Sequence, residues 1–374
     1  MKTAKLLIAD SESNSDMYWA TRLFVPDPFI FLQWGEHTAI VVSDLELARA
    51  RHEAQVDQVL SYSEYVVKCR GRHDRPVREG EVIVKILKER GIRRVTVPSY
   101  FPFEKARKLE GLGLKVETKP DPFFDERAIK TRDEKEAIRH TLACVSKSLR
   151  AAVGLLKKSR IRGNRILSKG RPLYCNDLRE TIDSTLYTLG CLARHSITSC
   201  GPDSADPHAE GTGPVLPNAP IVLDIFPKDI KSGYFGDMTR TVVKGKAPAP
   251  LKNMYRAVLA AQEVGIQSIR AGVSGDKVHR AVERELEHHG FKTECKNGTP
   301  QGFIHSTGHG LGLDVHEAPR VSRGAGRLKA GVVVSVEPGL YYRDIGGVRI
   351  EDIVYVTKRG CEILSHFPKK LELP

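Results

Sequence analysis

A carboxylate stands inside the run Ile221-Val222-Leu223-Asp224-Ile225-Phe226. Apolar and β-branched residues in so short a run read as a strand buried on both faces. A charge within such a strand is costly unless it is paired or holds a cation. That requirement constrains the chain more than any average over its composition. The next such stretch, Asp237-Met238-Thr239-Arg240-Thr241-Val242-Val243, opens on a second carboxylate, and Gly233 and Gly236 lie in the turn segment between the two. A hairpin brings Asp224 and Asp237 side by side, where like charges repel unless a cation lies between them.

The pattern recurs near the C-terminus. Val332-Val333-Val334-Ser335-Val336 runs into Glu337-Pro338-Gly339, and Val348-Arg349-Ile350-Glu351-Asp352-Ile353-Val354 carries Glu351 in a second apolar strand. Arg349 and Glu351 share a face by the two-residue period of a strand. Between the two hairpins, His305, His309 and His316 fall within the segment 304–317. Four carboxylates and an imidazole suit divalent ions such as Mn²⁺, Co²⁺ or Zn²⁺. Two such ions ~3.5–4 Å apart hold a bridging hydroxide as nucleophile. Singly, each residue has a plainer reading. One strand-borne Asp is usually paired or at an edge, Glu337 alone suits a turn before Pro-Gly, and a lone His is usually a satisfied imidazole. Asp352 reads as a surface partner. It is the coincidence of five such residues on apolar strands that solvated faces do not explain.

The remaining sequence divides into two parts. Short strands at 6–9, 29–32, 38–42, 94–98 and 115–118 alternate with helices at 44–52, 79–90 and 103–112. Asp44 is placed as an N-cap and Gly91 as a helix stop. This α/β layer ends at Lys119-Pro120-Asp121-Pro122, which sets a boundary between domains 1–122 and 123–374. A long helix at 131–158 follows, acidic at its start and basic at its end as the helix dipole favours. Further helices are expected at 176–192, 251–271 and 276–289, with strands at 221–226, 239–243, 332–336 and 348–356. The order is α+β. The apolar run at 6–9 is too short for a signal-peptide core, so a cytoplasmic protein is expected. Seven scattered cysteines form no Cys-x-x-Cys pair and are read as free, mostly buried thiols.

The strings Gly233-Tyr234-Phe235-Gly236-Asp237-Met238-Thr239-Arg240-Thr241, His305 through His316, Val336-Glu337-Pro338-Gly339 and Arg349-Ile350-Glu351-Asp352 resemble one family. It is that of the metallopeptidases with the pita-bread fold: methionine aminopeptidases, aminopeptidase P and prolidase. The smaller α/β domain ahead of them, with Asp16-Met17-Tyr18-Trp19, is similar to that of the creatinase, prolidase and aminopeptidase P branch. The resemblance implies that Asp224 chelates one metal, that Asp237 and Glu351 bridge two, and that His309 and Glu337 complete the other. It implies catalytic roles for His208, His316 and Glu337, and substrate contacts from His305 and Arg349. Two features depart from the family. Asp224-Ile225-Phe226-Pro227 lacks the glycine common soon after the first ligand, and the spacing from Asp224 to Asp237 is longer than usual.

The implied activity is hydrolysis of the bond between an N-terminal residue and a following proline, of aminopeptidase P or Xaa-Pro dipeptidase type. A metal-bridged hydroxide would attack the scissile carbonyl, with Mn²⁺ the leading choice and Co²⁺ or Zn²⁺ the others. A homodimer is the family expectation. The alternatives are a hydrolase of the same fold acting on a non-proline amide, and a non-catalytic binding protein. The formal charge of +13 raises nucleic acid as a partner. Its densest stretch, Lys147, Arg150, Lys157, Lys158, Arg160, Arg162, Arg165, Lys169 and Arg171, lacks the interleaved aromatics of single-strand binders. It is read as a solvated face, with no nucleic-acid or membrane partner expected.

Overall fold

The computed structural model describes residues 2–70, 75–296 and 298–374. The chain forms two units, Met1–Arg127 and Ala128–Pro374. Strands β1 (Thr3–Ala9), β2 (Phe29–Trp34), β3 (His37–Val42), β4 (Gln58–Ser61), β5 (Arg94–Pro98) and β6 (Lys115–Lys119) make one sheet, in the order β4-β3-β2-β1-β5-β6. Alternation along β1 and β2 sends Leu6, Ile8, Ile30 and Leu32 to one core, and Leu7, Phe29 and Phe31 to another. The sheet is therefore covered on both faces, which is why its strands read as nearly continuous apolar runs.

Helices α1 (Ser15–Thr21), α2 (Asp44–Glu53), α3 (Tyr62–Arg70), α4 (Glu79–Glu89) and α5 (Phe103–Gly111) complete this unit. Gly91 ends α4 at φ +69°, the left-handed stop that glycine allows without strain. Asp44 is not the N-cap of α2. That position is Ser43, and the Asp44 carboxylate instead accepts a hydrogen bond from Ser61. Phe123 and Phe124, beyond the expected boundary at 122, lie in the first unit's core.

The second unit begins with α6 (Arg132–Lys158). Thr131 caps it, accepting from the Glu134 amide at 3.2 Å, while Glu134 accepts from the Thr131 amide at 2.8 Å. The expected helix at 176–192 is shorter: α7 covers Cys175–Thr188, and Cys191–Leu192 pairs instead with Lys228–Asp229. One sheet contains β7 (Ile197–Cys200), β8 (Ile221–Ile225) and β9 (Met238–Lys244), with β8 central and antiparallel to both neighbours. Helices α8 (Ala249–Ser268) and α9 (Gly275–His288) follow.

A second sheet holds β10 (Gly308–Gly310), β11 (Glu317–Val321), β12 (Val333–Val336) and, further on, β15 (Asp352–Val356). The expected strand at 348–356 is in fact two. β14 (Gly346–Arg349) pairs with β13 (Gly339–Tyr342), whereas β15 pairs with β12. Glu351 occupies the break between them, where the chain changes sheets.

Four of the seven cysteines are buried, Cys69 and Cys361 are half-buried, Cys295 is exposed, and all are free. All nine cations of the basic stretch are exposed. No helix of the described residues is long and apolar enough to cross a membrane.

Candidate metal centre and active site

The two strand pairings that the carboxylates demanded are both present. In the first sheet Asp224 pairs with Thr239, which sets Asp237 just before the partner strand. In the second, Val336 pairs with Asp352, so Glu337 and Glu351 leave adjacent strands at the same end. Two close approaches hold these ends in place. A side chain on Gly236 would meet the α6 backbone at 3.0 Å, and one on Gly308 would meet the Ser335 carbonyl at 2.0 Å. Only glycine lets β10 lie that close to β12, and this carries His309 to the carboxylates.

One cavity of about 520 Å³ is lined by all nine residues singled out from sequence: His208, Asp224, Asp237, His305, His309, His316, Glu337, Arg349 and Glu351. Asp237, His309 and Glu351 each offer a ligand atom, all within 4.8 Å of one another. His309 Nε2 lies 3.1 Å from Glu337 and 3.8 Å from Asp237. Its Nδ1 lies 3.1 Å from the Gly310 carbonyl, to which it donates. That bond turns Nε2 toward the carboxylates.

The electrostatics point to a missing positive charge. Burial, then repulsion from Glu351, Asp224 and Glu337, pushes the Asp237 carboxyl well above its ordinary range. Burial with the charges of Glu337 and Asp224 pushes Glu351 up to about 8. Burial also opposes charge on Glu337, but the His309 bond and nearby cations hold it at about 2. His309 rises to about 9, because its bond to Glu337 outweighs its own burial. Burial lowers both His305 and His316.

Asp237 Oδ1 and Glu351 Oε1 are buried without a hydrogen-bond partner. The Thr239 hydroxyl lies 2.8 Å from both Asp224 and Glu351, yet it has one proton to give. Unpaired buried carboxylate oxygens, on residues that each bring a ligand atom within 4.8 Å of the others, are the complement of a cation, so the donor set fits divalent metal.

The outlying residues divide by what they touch. Arg349 donates to Asp224 at 2.7 Å and to the Tyr341 hydroxyl at 2.6 Å. His305 has Nε2 2.9 Å from the Tyr341 hydroxyl and Nδ1 2.8 Å from the Ser306 carbonyl. Both its ring nitrogens are thus engaged within the protein. The His316 ring stands edge-on to His309, centroids 4.3 Å apart, and His208 is exposed on the wall.

Asp352 is not a surface residue but 2% exposed. It accepts from Arg240 at 2.7 Å and pairs with Lys369 at 2.6 Å. Arg240, unassigned from sequence, is also 2% exposed and donates to the Glu351 carbonyl at 2.5 Å. Its signal was a cation inside an apolar strand, the mirror of Asp224. Arg320, Phe226, Tyr341 and Thr239 were likewise missed, the first two as cavity lining.

The sequence profile of metallopeptidase family M24 matches residues 136–358. An uncharacterized peptidase of Bacillus subtilis is 36% identical over 176 residues, 47% of either chain. A Xaa-Pro dipeptidase of Pyrococcus furiosus is 29% identical over 252 residues, 67% of either chain. The matches to the first curated relatives span about half of those proteins' length. The crystal structure of an X-Pro aminopeptidase from Thermotoga maritima superposes with a TM-score of 0.82 at 22% identity, covering 100% of this chain and 98% of that one. At that identity the likeness speaks for the fold, which is the pita-bread α+β fold behind a smaller α/β unit.

Proposed function

The chain belongs to metallopeptidase family M24, and on that premise we propose that it is a metal-dependent Xaa-Pro peptidase, cleaving the bond between an N-terminal residue and proline. The observation that carries the metal dependence is the pair of orphaned oxygens on Asp237 and Glu351 beside His309. The names of the relatives support the Xaa-Pro class.

Asp224, Asp237, His309, Glu337 and Glu351 would hold two divalent ions, with Asp237 and Glu351 shared. A set so rich in carboxylate oxygen favours Mn²⁺. Ions bound there supply an ionised water at neutral pH and polarise the scissile carbonyl.

The protein's own groups do the rest. Glu337, which lines the cavity beside His309, accepts the water proton, returning it to the leaving proline nitrogen. His316, whose basicity burial lowers, donates to the carbonyl oxygen as charge develops there. Arg349 pins Asp224 and, through Tyr341, fixes His305. The amide of an Xaa-Pro bond has no N–H, so the pocket recognises the ring by shape, with His208 on its wall. The substrate's free amine lies toward Asp224, which restricts cleavage to the first bond.

The test is hydrolysis of Xaa-Pro and Xaa-Pro-Yaa peptides after metal removal and Mn²⁺ or Co²⁺ add-back. Restored cleavage of either is expected, and their ratio separates dipeptidase from aminopeptidase. Failure of the metal-loaded protein on both would overturn the assignment.

A further inference from the structure

The cavity carries an apolar wall that the chemistry above leaves unused: Ile197, Pro207, Phe226 and Val315. Of these, Phe226 is positioned most directly by the sequence. Asp224 belongs to β8, whose last paired residue is Ile225, opposite Met238. The residue before a proline is pushed toward extended backbone, so Pro227 carries the strand alternation one step past the ladder. Phe226 therefore points to the same face as Asp224, two residues away.

The chain beyond Phe226 is tied down. The Pro227 carbonyl accepts from the Gly236 amide at 3.1 Å, and the Phe235 amide donates to the Gly312 carbonyl at 2.8 Å. Ile197, directly opposite Asp224 in β7, shares its face. The ring of Phe226 is only half-buried, although its neighbour Ile225 is fully buried. Phe226 is one of the residues that line the cavity. Thus the carboxylate nearest the substrate amine is flanked along its strand by an aromatic ring and across it by an isoleucine.

We infer that Phe226 determines specificity: its ring, with Ile197, is the surface against which the side chain of the substrate's first residue packs, and apolar first residues are selected over polar ones. This rests on the Xaa-Pro reading, with the substrate amine toward Asp224. Burying an apolar group against the ring is favourable, and a serine hydroxyl there meets no partner.

The experiment compares kcat/KM for Leu-Pro and Ser-Pro, each with the Mn²⁺-loaded protein. A preference of ~10–200-fold for Leu-Pro is expected, the range that small apolar differences give in such pockets. Phe226→Gly should collapse that ratio toward unity mainly by losing Leu-Pro, and Phe226→Leu should keep most of it. An equal fall for both substrates in Phe226→Gly, or an unchanged ratio, would overturn the inference. If the glycine variant does not fold, Phe226→Leu and Phe226→Gln decide, since the two are alike in size and differ in polarity. Equal ratios for that pair would also overturn it.

A second readout needs no turnover. Calorimetric titration with free leucine and free serine should show tighter leucine binding by the wild type, lost in Phe226→Gln. Should the wild type cleave neither dipeptide, the Leu-Pro-Yaa and Ser-Pro-Yaa pair takes their place; failure on both kinds of peptide would strike the functional reading, and the titration would still report on Phe226.

Discussion

Asp237 and Glu351 each keep a buried oxygen with no partner, an arrangement that stabilises the fold only when a cation completes it. Asp237→Asn or Glu351→Gln removes a charge from the proposed ligand set. Metal content by elemental analysis should then fall well below that of the wild type. Hydrolysis should drop by more than the ~10–100-fold typical of losing a supporting partner. Thr239→Val, which removes such a supporting hydroxyl, should fall within that range. Arg240 and Asp352 make a different kind of case. Both are buried, and the pair is also satisfied by Ser365 and the Phe367 carbonyl. Asp352→Ala leaves the Arg240 guanidinium without its charge partner, and urea unfolding should show a loss of ~3–5 kcal/mol. Asp224, Asp237, Glu337 and Glu351 stood out in the sequence because each interrupts or borders an apolar run, whereas His309, among glycines and hydroxyl residues, was singled out by the family resemblance. Asp352 was misread because its partner lies 112 residues away along the chain, and no local period reports a partner at that distance.

At the scale of elements, periodicity located the longer apolar strands and most of the helices, with ends right to within a few residues, but β4, β7, β10, β11, β13 and the helices α1 and α3 went unread. Periodicity also missed the places where the chain changes partners. The run at 348–356 is continuous in apolar pattern, yet β14 and β15 pair with different strands, because pattern records burial and not which neighbour supplies the hydrogen bonds. The hairpin from Asp224 to Asp237 likewise contains its own short strand, Lys228–Asp229, paired with Cys191–Leu192. The cap of α6 joins these levels. Thr131 and Glu134 bond reciprocally, and the Tyr234 hydroxyl donates to Glu134 at 2.6 Å. Thr131→Ala should cost ~1 kcal/mol in denaturant unfolding. In the first unit, Glu81 of α4 is held at about 2 by Arg75 and the Arg78 amide, against its ordinary 4.5. A carboxylate depressed on folding contributes stability that is present above its unfolded pKa and lost as pH falls through the folded one. Acid unfolding followed between those two values should therefore be less steep in Glu81→Gln, and the two proteins should not differ in slope near neutrality.

For the whole molecule, the distribution of the site decides which part metal stabilises. Every candidate ligand comes from residues 224–351, on strands of the second unit or at their ends, while the first unit closes its own sheet between two apolar cores. A ligand that binds only the native state stabilises it by about 2.7 kcal/mol at a free concentration ~100 times its Kd. That stabilisation belongs to whatever must unfold to release the ion, which here is the joined ends of β8, β9, β12 and β15. Without metal, the crowded carboxylates repel and those ends open more readily. Hydrogen exchange with and without Mn²⁺ should show slower exchange at amides such as Leu223, Thr241, Val334 and Val354 when the ion is present. Amides of the first sheet, such as Leu7 and Phe31, should exchange at the same rate in both conditions. Equal slowing throughout the chain would mean that the ion stabilises a single cooperative unit. No change at the second unit's strands would mean that the carboxylates hold no metal, and the reading of the site would fail with it.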